Sequence, residues 1–181
     1  MMHHRLPTRA ELGPRICVMG RSNSGKSTLA VQLAELLHIP VFHLDQMAHF
    51  PNTRWERRPN ADFMADHNAL LVQEAWMIEG NYGKSMPQRF ARATSVIWCD
   101  IPLLGCLWRY AKRSWKNDPH RAGGLAGSQG EFSWGLVRYM SRQYPMNREE
   151  YMKILDNYPS LPVFQLSTFQ QVKQVVPHVA S

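Results

Sequence analysis

Short apolar runs alternate along this chain with longer segments whose apolar residues recur every three or four positions. Ile16, Cys17, Val18 and Met19 form the first run, short and half β-branched, as a strand buried on both faces should be. Further runs at 41–44, 75–78, 94–99 and 162–166 predict four more strands. Between them, Leu29, Leu33, Leu36 and Leu37 keep helical spacing over 29–37, until Pro40 disfavours helix at the preceding residue. Asn60 is positioned to cap a helix over 61–74 whose apolar face carries Phe63, Leu70 and Leu71. A short amphipathic segment over 85–92 and helices over 103–115, 132–144 and 148–158 follow, the last stopped by Pro159. Ser167 and Thr168 cap a final helix over 169–176. Strands alternating with helices predict an α/β domain over residues 15–181, a parallel sheet with helices on both faces. No internal repeat and no second domain are apparent.

Composition narrows the class. With 181 residues the chain is long enough to bury a full core, and 44% hydrophobic against 19% charged residues reads as globular. No apolar run approaches the roughly 20 residues of a membrane span. Residues 1–14 carry no apolar stretch that could act as a signal peptide and read as a flexible basic leader ending at Gly13 and Pro14. His3 and His4 within it are read as inert. Cys17, Cys99 and Cys106 are odd in number and have no metal-ligand spacing; Cys17 and Cys99 lie inside apolar strand candidates and read as small buried hydrophobes, and together these features indicate a reducing cytoplasm. The net charge of +7 favours an anionic partner, a nucleotide or a longer nucleic acid.

The strongest chemical signal is Gly20, Arg21, Ser22, Asn23, Ser24, Gly25, Lys26, Ser27 and Thr28, with the spacing Gly-x4-Gly-Lys-Ser between a strand and a helix. This is the phosphate-cradling loop of nucleotide-binding proteins. Its glycines let backbone N–H groups approach phosphate oxygens, and the following helix aims its positive end at the same anion. Lys26 supplies an ammonium for the β- and γ-phosphates of ATP. The Ser27 hydroxyl is the expected Mg²⁺ ligand, and Thr28 is one residue further, within reach of the α-phosphate. A second Gly-Lys-Ser at residues 83–85 is a decoy, because residue 78 is Ile and the first glycine is missing.

Other residues gather at predicted strand ends, where open parallel sheets hold their ligands. Asp45 follows the second strand, suited to a substrate hydroxyl or to the metal shell, and His43 beside it faces either core or crevice. The loop over 46–60 carries Arg54, Trp55, Arg57 and Arg58, suited to a planar or anionic substrate or to a solvated surface. Glu79 ends the third strand and Asp100 the fourth, and both compete to hold the water shell of Mg²⁺. Arg109 and Arg113, four apart, share one helix face, as a clamp on a transferring phosphoryl group or as a surface pair. The stretch 116–131, with Gly123, Gly124, Gly127 and Gly130, suggests a mobile lid, its bounds roughly 114–135, or a plain disordered connector.

These residues resemble the adenylate-kinase-like branch of P-loop kinases, and within it the small bacterial DNA topology modulation proteins (FlaR-like). The resemblance spans 16–176. It is carried by the 20–28 loop, by His43-Leu44-Asp45-Gln46, and by Trp76-Met77-Ile78-Glu79-Gly80-Asn81-Tyr82. Arg89, the run from Val96 to Pro102 and the run from Cys106 to Arg113 complete it. It implies a P-loop NTPase three-layer sandwich, a five-stranded parallel sheet in the order 2-3-1-4-5 and a lid after Arg113. It also implies Glu79 rather than Asp100 in the metal shell, Asp45 at substrate or metal, and the Ser167-Thr168 loop near adenine. Asn81-Tyr82 stands where adenylate kinases carry Phe-Pro-Arg, which puts AMP as acceptor in doubt.

The expected function is transfer of the γ-phosphoryl of ATP to a small-molecule or nucleotide acceptor, with Lys26, Asp45, Arg109 and Arg113 as the catalytic set. Two other readings compete: a nucleic-acid-associated ATPase or polynucleotide-end kinase, for which no DNA-reading motif is present, and a nucleotide-binding regulator without transfer activity. No membrane partner is expected.

Overall fold

The structure, a computed structural model, describes residues 1–116, 122–125 and 133–181. Its centre is strand β2 (Arg15–Gly20), buried along nearly its whole length. Because successive side chains point to opposite faces, Ile16 and Val18 enter one apolar cluster while Cys17 and Met19 enter another. The first cluster is covered by α2 (Lys26–Leu37), α6 (Leu103–Lys116) and α9 (Phe169–Ala180). The second is covered by α4 (Asn60–Leu71), α5 (Met86–Arg92) and α8 (Tyr144–Asp156). Helices on both faces give the three-layer arrangement that the alternating pattern predicts.

The remaining strands are β1 (Met2–His3), β3 (Val41–His43), β4 (Trp76–Glu79), β5 (Ser95–Cys99) and β6 (Val163–Leu166), all paired in parallel. The five-strand expectation is corrected: the sheet has six strands, in the order β1-β6-β5-β2-β4-β3. The order differs from the expected one by its edge. There Met2 and His3 pair with Val163 and Phe164, in a stretch read from sequence as a loose leader. At two residues, Met2 and His3, that strand is too short to show an alternation. The leader also supplies α1 (Arg9–Leu12), whose Leu12 is fully buried in the first cluster.

Two further segments depart from expectation. Residues 44–48, read as a strand end and the start of a loop, form helix α3 (Leu44–Ala48), with His49 Nδ1 2.8 Å from the Asp45 carbonyl oxygen. Instead of two helices separated near residue 145, one helical stretch runs through α7 (Trp134–Arg138), a π segment (Tyr139–Gln143) and α8. The π register, in which the Tyr144 N–H reaches the Tyr139 carbonyl, would pair the Met140 carbonyl with the N–H of residue 145. Residue 145 is proline and has none, so Met140 O is left for another donor. That donor is Arg21 Nη1, at 2.7 Å.

Most of the stretch expected to act as a lid lies outside the described residues; of it, 122–125 and parts of the flanking helices are described. No helix among the described residues is long and apolar enough to cross a membrane.

Candidate phosphate and transfer site

The loop joining β2 to α2 is shaped by close approach. At Gly20 (φ +144°) a Cβ would lie 2.3 Å from the Cys99 carbonyl oxygen, so only glycine fits there. Helix α2 starts at Lys26, which leaves the N–H groups of its first turn without intrahelical partners and directed toward the loop. Ser24 Oγ is buried in the same loop with no hydrogen-bond partner. Unpaired donors, a helix N-terminus and an orphaned hydroxyl together fit an anion such as a phosphate.

Arg21 does not face that cradle. Its guanidinium is buried, donates to the carbonyls of Ile101 and Met140, and stacks on the Tyr144 ring at 4.3 Å. Its side chain fastens the loop to the π segment instead. Asn23 adopts φ +65° and reaches Met140 Sδ with its amide.

Lys26 Nζ lies 3.1 Å from Glu79 Oε1, and His43 Nδ1 lies 2.8 Å from Glu79 Oε2. The strand register causes this grouping: His43 pairs with Glu79 across β3 and β4, and Glu79 pairs with Val18 across β4 and β2. All three side chains are nearly withdrawn from solvent. Burial alone would raise the Glu79 carboxyl, but the Lys26 ammonium and the His43 hydrogen bond outweigh it and hold its pKa at about 2. Burial likewise opposes the Lys26 charge, and the carboxylates of Glu79 and Asp45 outweigh it, keeping Lys26 above its ordinary value.

Asp45 sits in the first turn of α3 and accepts a hydrogen bond from Tyr82 Oη at 2.8 Å. The Tyr82 ring packs on Phe63, centroids 5.2 Å apart, and its hydroxyl is pushed well above the usual range by burial and by the Asp45 charge. Of the arginines at 46–60, Arg58 is tied to the Met47 carbonyl and to Asp66, while the charge of Arg57 is felt at Tyr82.

Arg109 comes to the phosphate loop from α6: a Cβ on Gly25 would lie 3.0 Å from Arg109 Nη1, and its guanidinium stacks over Phe169 at 4.7 Å. The expected partner Arg113 lies on α6, but its side chain is outside the described residues. Asp100 is engaged elsewhere, accepting from Arg148 Nε at 3.0 Å and from Gln165 Nε2 at 2.7 Å. Of the two competing carboxylates, Glu79 is the one beside Lys26. From the glycine-rich stretch, Gly123 packs where a Cβ would meet His43 Nδ1 at 3.0 Å and Ser27 Oγ at 3.1 Å, and Gln46 Nε2 donates to the Gly124 carbonyl. Thr168 caps α9 through a reciprocal pair with Gln171, and the next residue is the Phe169 beneath Arg109.

Sequence reasoning gave no role to His43, Asn81 or Tyr82. Their signal was position alone: His43 ends a strand two residues before Asp45, and Asn81 and Tyr82 follow the acidic strand end.

No family model matches the sequence, and no curated protein does. Solved structures share its fold. A shikimate kinase from Acinetobacter baumannii, in complex with shikimate, is 14% identical over 94% of this chain and 97% of that one, with a TM-score of 0.56. A gluconokinase from Sinorhizobium meliloti 1021 is 15% identical over 94% and 91%, with a TM-score of 0.53. A sugar kinase from Janibacter sp. HTCC2649 is 16% identical over 91% of each chain, with a TM-score of 0.52. The chain has the P-loop kinase fold.

Proposed function

We propose that the protein is an ATP-dependent, adenylate-kinase-like phosphotransferase that moves the γ-phosphoryl group of ATP to a small-molecule or nucleotide acceptor. The observation that carries this reading is the Lys26–Glu79 pair at the start of α2, with Arg109 against the same loop and Asp45 close enough for its charge to act on Lys26. In-line phosphoryl transfer needs positioning and neutralised charge more than covalent help from the protein. ATP supplies the transferred group, and Mg²⁺ neutralises charge on its phosphates when bound.

The loop 20–28 would hold the phosphates through its backbone donors, and Lys26 would leave Glu79 for the β- and γ-oxygens. Ser27 would ligate the metal directly and Glu79 through water. Asp45 would accept a hydrogen bond or the proton from the acceptor hydroxyl, and Arg109, with Arg113 one turn on, would meet charge at the γ-phosphoryl. Phe169 and the Ser167-Thr168 turn lie on the side of Arg109 and would border the adenine. The narrower relation to topology modulation proteins rests on the sequence resemblance at 79–82 and 106–113. Three free, buried cysteines support a cytoplasmic setting.

The test is transfer of label from [γ-³²P]ATP to a panel of polyols, hydroxy acids, nucleoside monophosphates and a 5′-hydroxyl oligonucleotide. The last is included because the net charge of +7 suits a polyanion. Transfer to at least one acceptor, lost in Lys26→Ala, is expected. ATP binding with no transfer to any member would replace this reading by that of a nucleotide-binding regulator.

A further inference from the structure

Where β4 ends, its chain leaves the sheet but the ladder does not. The Gly80 N–H donates to the Val18 carbonyl at 3.0 Å, so Val18 turns its carbonyl toward β4. Groups two residues apart on a strand face the same side, so Gly20 also turns its N–H and carbonyl that way. No backbone of β4 is there to meet them, because at Gly80 (φ +134°) the chain bends away past Leu44, where a Cβ would lie 2.9 Å from Leu44 Cβ. The Asn81 carboxamide takes the vacant rung. The Gly20 N–H donates to Asn81 Oδ1 and Asn81 Nδ2 donates to the Gly20 carbonyl, both at 3.0 Å. A carboxamide holds a carbonyl acceptor and N–H donors in one plane, much as a peptide unit does, and here its oxygen and one N–H extend a parallel ladder by one residue.

The turn that presents Asn81 is itself held in unfavourable states. Arg89, 1% exposed, donates from Nη2 to the Asn81 carbonyl, while its Nε and Nη1 are buried without partners. Burial pushes that guanidinium below the ordinary arginine range. Tyr82, the next residue, adopts φ +40°, a left-handed conformation that side chains rarely take. A desolvated cation and a strained backbone are expensive in a fold, and they persist where surrounding structure demands one geometry.

We propose that Asn81 is a positioning residue. It pins the first glycine of the phosphate loop to the strand that carries Glu79, and so presets the spacing between the loop and the Lys26–Glu79 pair before nucleotide arrives. Its bonds go to Gly20, at the foot of the loop, and leave the first-turn donors of α2 free. This inference rests on the nucleotide reading above and adds a residue that reading did not use.

The test compares ATP affinity in the presence of Mg²⁺, measured by calorimetry, with thermal stability. Asn81→Ala loses both bonds; Asn81→Asp keeps the acceptor for the Gly20 N–H, loses the donor and preserves size, so it reports even where the alanine variant does not fold. Thr94→Val is the control, since Thr94 Oγ1 makes comparable bonds with the Arg15 N–H and the Leu12 carbonyl near residue 15, at the opposite end of β2 from Gly20. A positioning role predicts an affinity loss of about tenfold or more in the Asn81 variants and none in Thr94→Val at a matched fall in melting temperature. It also predicts faster amide hydrogen exchange over residues 20–25 in the nucleotide-free Asn81 variants. Wild-type protein that binds ATP, with Asn81 variants binding it equally well, overturns the positioning role alone. Wild-type protein that does not bind ATP overturns the nucleotide reading, and the purpose of the clamp with it.

Discussion

Lys26 Nζ and Glu79 Oε1 are 3.1 Å apart, so the ammonium that ends the Gly-x4-Gly-Lys motif is already paired with the carboxylate that ends β4. Each group compensates the burial of the other, and removing one strands a charge in the interior.

Lys26→Ala should therefore do more than abolish phosphoryl transfer. With Glu79 left to His43 alone, stability should fall by about 3 kcal/mol. The double variant Lys26→Met/Glu79→Gln should recover much of that loss without recovering ATP binding. Urea denaturation together with calorimetric titration of ATP checks both halves, and an unchanged midpoint in Lys26→Ala would show that the pair contributes nothing.

Arg109 offers a cleaner separation of chemistry from stability, since it lies on an exposed position of α6 and touches the loop at Gly25. Arg109→Ala should leave the melting temperature within a few degrees while lowering transfer by about a hundredfold or more. Arg109→Lys should restore little, because a point charge lacks the planar fork that meets two oxygens and stacks on Phe169. Steady-state rates with the acceptor found in the labelling panel decide it.

His67 makes stability pH-dependent. It is fully buried on α4 with Nε2 unpartnered, and burial, with the Arg89 charge as a lesser cause, lowers its pKa from 6.5 to about 4. The unfolded chain thus binds a proton near pH 6.5 that the folded protein refuses until about pH 4. Stability is full above pH 6.5 and falls through that window, by up to about 1.4 kcal/mol per pH unit from this group. His67→Phe should remove this part of the acid slope at little cost at pH 7, because an orphaned buried nitrogen disappears with it. Denaturant midpoints at pH 7, 5.5 and 4.5 for both proteins test it, and parallel curves would refute it.

Leu12 tests the N-terminal segment. Its side chain is completely buried against the first core cluster, so Leu12→Ala should cost about 3 kcal/mol, as a core truncation does, where a loose leader would show no effect. Thermal unfolding followed by circular dichroism is sufficient.

Much of the fold was legible from local pattern. The runs at 16–19 and 94–99 have the apolar character of doubly buried strands, and Thr168 caps the last helix as expected. What escaped notice lacked a local signal. Met2 and His3 have no strand alternation and pair only because β6 offers an open edge. The π segment arises from Pro145 within a helix, where a proline ordinarily reads as a break. Arg21 lies inside the most recognisable motif of the chain, yet its side chain turns to Ile101, Met140 and Tyr144, because the motif says nothing of where a long side chain goes.

The amino-acid sequence by itself determined the phosphate loop and its position between a strand and a helix, since those depend on residue types at fixed spacing within one short stretch. It also named Asp45, Glu79 and Arg109 as chemically apt groups near strand ends and on a helix face. Only the tertiary structure decided which carboxylate meets Lys26, because that follows from which strands flank β2 and in what register: Glu79 falls opposite Val18, while Asp100 is taken by Arg148 and Gln165. The same holds for Asn81, whose pairing with Gly20 spans 61 residues of sequence. No spacing rule reaches that far, and the bond exists only because β4 stops one rung short of the loop it supports.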